Sequence, residues 1–151
     1  MRRINIGLIG FGTIGTGVVK LLRDNGELIS ERVGVEIHLK KIADIDIQRA
    51  RGVTVAEGLL TKDAKDILGD PEIDIVVELM GGYEPARSFI LEAIRLKKHV
   101  VTANKALLAT HGDEIFQSAV RQGVNIGFEA SVGGTIPIIK TIKESLIANK
   151  I

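Results

Sequence analysis

Cysteine is absent from this 151-residue chain. Its absence excludes a disulfide framework, a thiolate metal site and covalent catalysis through a thiol. An excess of charge of either sign is missing too, since 20 basic and 19 acidic side chains leave a formal net charge of +1. That balance points away from nucleic acid or a membrane surface as partner. No run of about 18 apolar residues occurs, so no segment reads as a membrane span. The opening Met1-Arg2-Arg3 has the charge of a secretory leader, but Asn5, Gly7, Gly10 and Gly12 interrupt the apolar stretch behind it and no cleavage site follows. The cytoplasm is the location these features imply. What is present is 45% hydrophobic and 26% charged residues. That is the composition of a globular domain with a real core, and the length fits one domain.

Short apolar runs alternate with helical patterns along the whole chain. Strands are expected over residues 4–9, 35–43, 73–79, 99–102 and 124–129. Helices are expected over 13–23, 63–68, 84–96, 113–122 and 136–148. Pro85 suits the first turn of one of these, and Gly123 suits the end of another. Residues 26–34 read as a polar connection with room for extra helix, and 45–60 shows no clear period. Strand–helix alternation of this kind predicts an α/β fold: a Rossmann-like, doubly wound, mostly parallel sheet with helices on both faces. Such sheets take ligands at the carboxyl ends of their strands.

The first strand runs into Gly10-Phe11-Gly12-Thr13-Ile14-Gly15, a G-x-G-x-x-G loop followed by a helix. In this pattern the first glycine permits the tight turn and the second lets backbone approach a pyrophosphate. The third packs helix against strand. Free N–H groups and the helix dipole then favour the anion. The loop predicts dinucleotide binding, with NADP or NAD as the cofactor. Asp44, at the end of the second strand, is the candidate for the ribose 2′-OH of NAD. It lies later than the usual spacing, and residues 26–34 account for the excess. Arg49 and Arg51 follow closely and are candidates for the 2′-phosphate of NADP. The choice between the two cofactors stays open.

Two further segments follow strand ends: Val100-Val101-Thr102-Ala103-Asn104-Lys105-Ala106-Leu107-Leu108-Ala109, and Gly127-Phe128-Glu129-Ala130-Ser131-Val132-Gly133-Gly134-Thr135-Ile136-Pro137-Ile138-Ile139. Together with the glycine loop they resemble homoserine dehydrogenase over essentially the whole chain. Thr135 departs from the pattern, standing where a third glycine is common. The resemblance implies reduction of aspartate semialdehyde to homoserine with NADH or NADPH, in the route to threonine, methionine and isoleucine. It implies that Lys105 is the active-site lysine of this domain, placed so that a compact cation meets the substrate carboxylate or charge near the carbonyl. It also implies a monovalent cation, Na⁺, held by Glu129 and the backbone carbonyls of Val132, Gly134 and Ile136. Hard oxygen donors suit such an ion. Thr102 and Gly81, in the Gly81-Gly82 loop after the third strand, are expected to line the crevice beside the nicotinamide.

The resembled family carries a substrate domain after this point and forms homodimers through it. Residues 1–151 are therefore read as the NAD(P)-binding domain alone. Two other readings use the same glycine loop: a stand-alone NAD(P)-sensing module, and the cofactor domain of a related enzyme such as aspartate dehydrogenase. Lys105 and the Glu129 segment favour the homoserine enzyme over a sensor. Phosphorylating aldehyde dehydrogenases need a cysteine nucleophile, and the chain has none. His38, His99 and His111 do not share metal-ligand spacing. Tyr83 reads as a packing residue, and Lys97-Lys98 as a solvated helix end.

Overall fold

The computed structural model describes residues 2–150. A six-stranded sheet forms from β1 (Arg3–Ile9), β2 (Glu36–Ala43), β3 (Leu60–Thr61), β4 (Ile75–Glu78), β5 (His99–Thr102) and β6 (Ile126–Gly127). Their order across the sheet is β3-β2-β1-β4-β5-β6, and each neighbouring pair is parallel. The chain reverses its winding between β1 and β4, the position at which doubly wound sheets open a ligand crevice.

The alternation of side chains along each strand divides the core. Ile6, Leu8, Ile42 and Val77 belong to one apolar cluster, while Ile9, Ala43 and Val76 belong to the other. The first cluster is covered by α1 (Thr13–Val33) through Val19 and Leu22, and by the apolar residues Val53, Val55 and Leu59. The second is covered by α2 (Lys65–Leu68), α3 (Ala86–Arg95) and α4 (Lys105–Gln122), which bury Ile67, Ile90, Ile94, Leu107 and Ile115. Helices on both faces and strands buried on both sides follow directly from the apolar character of both strand registers.

Several element boundaries differ from the sequence reading. Residues 26–34 are not a connection: α1 runs unbroken through Gly26 and ends at Gly34, which is left-handed (φ 75°) and donates to the Ser30 carbonyl. The good helix formers around Gly26 outweigh a glycine cost of about 1 kcal/mol. Helix α4 begins at Lys105 rather than near residue 113. Asn104 caps it by accepting from the Leu107 N–H, and Gly112 is buried in its middle against Phe116. Strand β6 spans only two residues. The expected last helix is one α turn, α5 (Ile138–Lys140), followed by a π turn over Thr141–Ser145. Lys98 is not solvated: it is 4% exposed, and its Nζ donates to the carbonyls of Asp70 and Ile73. Burial holds its ammonium below the usual lysine range. No helix among the described residues is long and apolar enough to cross a membrane.

Candidate nucleotide-binding crevice

The glycine loop lies between β1 and α1, at the carboxyl edge of the sheet. Gly10 has φ 100°, and a Cβ there would stand 2.7 Å from the Leu79 carbonyl. A Cβ on Gly15 would stand 2.1 Å from the Gly10 carbonyl oxygen, so the first turn of α1 presses directly on the loop. Gly12 is different, because a Cβ there would meet nothing within 4 Å. Gly12 is also the residue that begins α1, and no side chain caps the helix there. The orphan N–H groups of the first turn therefore face open space. Thr13 and Ile14 flank that space, with Ile14 59% exposed.

Asp44 and Arg51 fasten this loop from the side. The Asp44 carboxylate accepts from the Phe11 N–H at 2.6 Å and from the Asp46 N–H at 2.8 Å, and lies 3.1 Å from the Arg51 guanidinium. Arg51 Nε donates to the Phe11 carbonyl, and the guanidinium stacks 4.6 Å from the centre of the Phe11 ring. Two more Arg51 nitrogens donate to the carbonyls of Arg49 and Asp46. The Arg51 side chain is only 5% exposed. The two arginines that the sequence groups together are thus placed differently: Arg51 is built into the loop, whereas Arg49 is exposed.

A hollow lies on each side of the loop. One, of about 350 Å³, is lined by Gly10, Gly12, Asp44, Ile45, Met80 and Phe89 among others. Its apolar walls, with Asp44, Lys62 and Asp63 among the lining, suit an adenosine. The other, of about 380 Å³, is lined by Phe11, Thr13, Thr16, Lys20, Arg49 and Arg51 among others, and its charged lining is wholly basic. Lys20 was not singled out from the sequence. It stands one helical turn beyond Thr16, on the face of α1 turned to this hollow. A larger hollow of about 600 Å³ sits at the amino ends of the strands, the end that such sheets do not use for ligands.

Gly81, Thr102 and Lys105 lie at or just beyond the carboxyl ends of β4 and β5. Gly81 and Gly82 are both left-handed (φ 78° and 75°). The Thr102 hydroxyl donates to Glu78 at 2.6 Å, and Lys105 opens α4 with an exposed side chain. Glu78 and Asn104 were missed from the sequence. A carboxylate directly after the apolar run 75–77 was the available signal for the first. An asparagine just before a helical pattern was the signal for the second.

The Glu129 segment forms a turn behind Thr102, tied to it by the Ser131 hydroxyl, which donates to the Thr102 carbonyl at 2.9 Å. The Glu129 carboxylate caps α5, accepting from the N–H groups of Ile139 at 3.1 Å and Lys140 at 2.7 Å. A Cβ on Gly133 would stand 3.0 Å from the Ile136 carbonyl oxygen, which itself accepts from Ile138 at 2.8 Å. The turn is therefore drawn tight around backbone oxygens. Among the described residues no three His, Cys, Asp or Glu side chains form a metal-binding group. His99 accepts from the Asn125 N–H through Nδ1 at 3.0 Å, and Tyr83 meets His111 edge-on, 6.1 Å between ring centres.

Comparison with known proteins agrees with this geometry. Residues 10–129 match the model of the homoserine dehydrogenase NAD-binding domain. The whole chain aligns with the homoserine dehydrogenases of Bacillus subtilis, at 41% identity, and Neisseria gonorrhoeae, at 46%. It covers 35% and 34% of those proteins, so it spans about a third of the length of the curated relatives it matches. The crystal structure of a homoserine dehydrogenase from Thiobacillus denitrificans superposes with a TM-score of 0.92 at 50% identity, over 100% of this chain and 35% of that one. With a matching family model over most of its length and the glycine loop, crevice and strand order in place, this chain belongs to the homoserine dehydrogenase family as its NAD-binding domain.

Proposed function

We propose that the protein carrying this domain interconverts L-homoserine and L-aspartate 4-semialdehyde with NADPH or NADH. The observation that carries this reading is the open space beside Gly12 at the uncapped start of α1, with Lys105 exposed at the start of α4, just beyond the carboxyl end of β5. The Gly10–Gly15 loop and the first-turn N–H groups of α1 hold the pyrophosphate. Asp44 keeps one carboxylate lone pair beyond the three donors it already accepts, enough for a ribose hydroxyl. Lys20 and Arg49 meet a 2′-phosphate in the basic hollow, which favours NADPH. Arg51 sets the shape of that hollow from within the loop.

When bound, the nicotinamide supplies the hydride. Lys105 attracts the substrate carboxylate and steadies charge at the carbonyl, and Gly81 stands beside it, while Thr102, expected to line the crevice, is buried and backs it through its bond to Glu78. Near-attack geometry of this kind is worth up to ~7–11 kcal/mol, and it needs a closed site. A further segment of the protein closes over the substrate and moves the hydroxyl proton. We assign Na⁺ to the Glu129 turn, where Glu129 and the backbone carbonyls of Val132, Gly134 and Ile136 are hard oxygen donors of the kind that such an ion takes. We place the protein in the cytoplasm and read it as a homodimer assembled through its other segments.

The assay is homoserine-dependent NADP reduction by residues 1–151 and by the longer protein. Turnover is expected from the longer protein only. An equal rate from 1–151 would place the whole active site within this domain and overturn the division of labour.

A further inference from the structure

The Glu78 carboxylate is fully buried at the end of β4, and among the described residues its hydrogen-bond partners are all uncharged. A carboxylate in that position is costly, and an apolar side chain would fill a strand end in the core more cheaply. Its environment shows what compensates. One oxygen accepts from the Met80 N–H at 2.8 Å and the Gly81 N–H at 3.4 Å, and the other accepts from the Thr102 hydroxyl at 2.6 Å. Thr102 Oγ1 in turn accepts from the Asn104 N–H at 3.0 Å. Asn104 Nδ2 donates to the Gly82 carbonyl at 2.6 Å, while its Oδ1 caps α4.

These bonds close a ring around the crevice wall. Glu78 grips residues 80 and 81 from below, Asn104 grips residue 82 from the side, and Thr102 joins the two. Both glycines of the 81–82 loop are left-handed, a backbone state that only these outside bonds select from the many open to glycine. Lys105 follows Asn104 directly as the first residue of α4. The backbone position from which its side chain departs is therefore set by the ring. We propose that Glu78 is a positioning residue for the homoserine reaction: through Thr102 and Asn104 it fixes Lys105 and the Gly81-Gly82 loop in one register. The inference rests on the function proposed above.

Every donor in the ring points at an acceptor, and only a carboxylate can take all three at Glu78. A glutamine offers one acceptor oxygen and one NH₂, so Glu78→Gln either sets a donor against the two backbone N–H groups or turns its NH₂ on Thr102 Oγ1 and leaves the hydroxyl proton without its acceptor. The test uses the full-length protein as wild type, Glu78→Gln, Lys105→Ala and the double variant. Thermal melting verifies folding, and kcat and the NADPH Kd are both read. Glu78→Gln is expected to lower kcat roughly 10- to 100-fold while the Kd moves less than about threefold, because none of the ring's hydrogen bonds is made to the Gly10–Gly15 loop. In the Lys105→Ala background the same change is expected to cost less than about threefold in kcat, since the residue acts through the lysine. Asn104→Ser keeps a capping oxygen but removes the donor to Gly82. It is expected to reproduce the kcat loss, and it replaces Glu78→Gln in the cycle if the latter does not fold. Equal kcat losses with and without Lys105, or a loss confined to Kd, would overturn the proposal. A wild type unable to turn over homoserine would overturn the functional reading beneath it instead.

Discussion

Gly12 and Gly15 stand three residues apart in one loop, and the structure assigns them opposite vulnerabilities. A methyl group on Gly15 would lie 2.1 Å from the Gly10 carbonyl oxygen, more than 1 Å inside ordinary contact. The obstacle is backbone on both sides, so α1 must shift off β1. Overpacking of that kind costs about 1–3 kcal/mol, and a domain of this size loses roughly 2–4 °C of Tm per kcal/mol. Gly15→Ala is therefore expected to lower Tm by roughly 2–12 °C. Gly12 has φ −79° and ψ −154°, a conformation open to any residue, and empty space around its missing side chain. Gly12→Val is expected to cost only the weaker cap, about 0.5–1 kcal/mol. Its isopropyl group, however, fills the space where the pyrophosphate meets the α1 N–H groups. Losing one charge-assisted hydrogen bond is worth about 1.5–3 kcal/mol, or roughly 10- to 150-fold in Kd. Calorimetric titration with NADH and NADPH, beside thermal melts of the three proteins, separates the two effects. Wild-type affinity in Gly12→Val, or a melting loss larger there than in Gly15→Ala, would refute the argument.

Lys20→Ala and Arg49→Ala are each expected to weaken NADPH binding more than NADH binding, read as the ratio of the two dissociation constants; an unchanged ratio in both would move the 2′-phosphate elsewhere. Arg51→Lys removes the planar fork that joins Asp44, Phe11 and residues 46–49, so it is expected to weaken both cofactors alike and leave that ratio unchanged. Lys40 lies 2.7 Å from Asp70, and their hydrogen bond holds the Asp70 carboxyl below its usual range. A carboxyl with a lowered folded value stabilises above the unfolded value of about 3.9 and loses that contribution as pH falls through the folded one. Asp70→Asn is thus expected to lower Tm at pH 7, by the equivalent of about 1 kcal/mol at most. The gap should close in acid melts, and a gap that widens there would refute the assignment.

Alternation of apolar strands and amphipathic helices was enough to predict a parallel, doubly wound sheet, because both signals are local and repeat five times along the chain. The glycine loop was equally legible. Gly15 is demanded by its contact with Gly10, within a single strand–turn–helix unit that adjacent residues encode, whereas the crowding at Gly10 comes from Leu79 and Met80, far along the chain. Boundaries were less legible where glycine lies inside a helix. Gly26 in α1 and Gly112 in α4 look like breaks in isolation, but Gly26 is carried by strong helix formers around it and Gly112 by packing against Phe116. The same limit applies to charge. Lys97-Lys98 reads as a surface pair, yet Lys98 turns inward to carbonyls 25 and 28 residues away. Only the tertiary structure could divide Arg49 from Arg51, since their difference is a set of partners reaching back 40 residues to Phe11. Only it could show that Glu78, Thr102 and Asn104 form one ring. Glu78 and Thr102 end neighbouring parallel strands with a crossover helix between them in sequence, and Asn104 follows two residues after Thr102. Local pattern therefore determined which elements form and where an anion can sit. The register of β4 against β5 decided which side chains meet beside it, because hydrogen bonds between distant residues exist only once the strands are aligned.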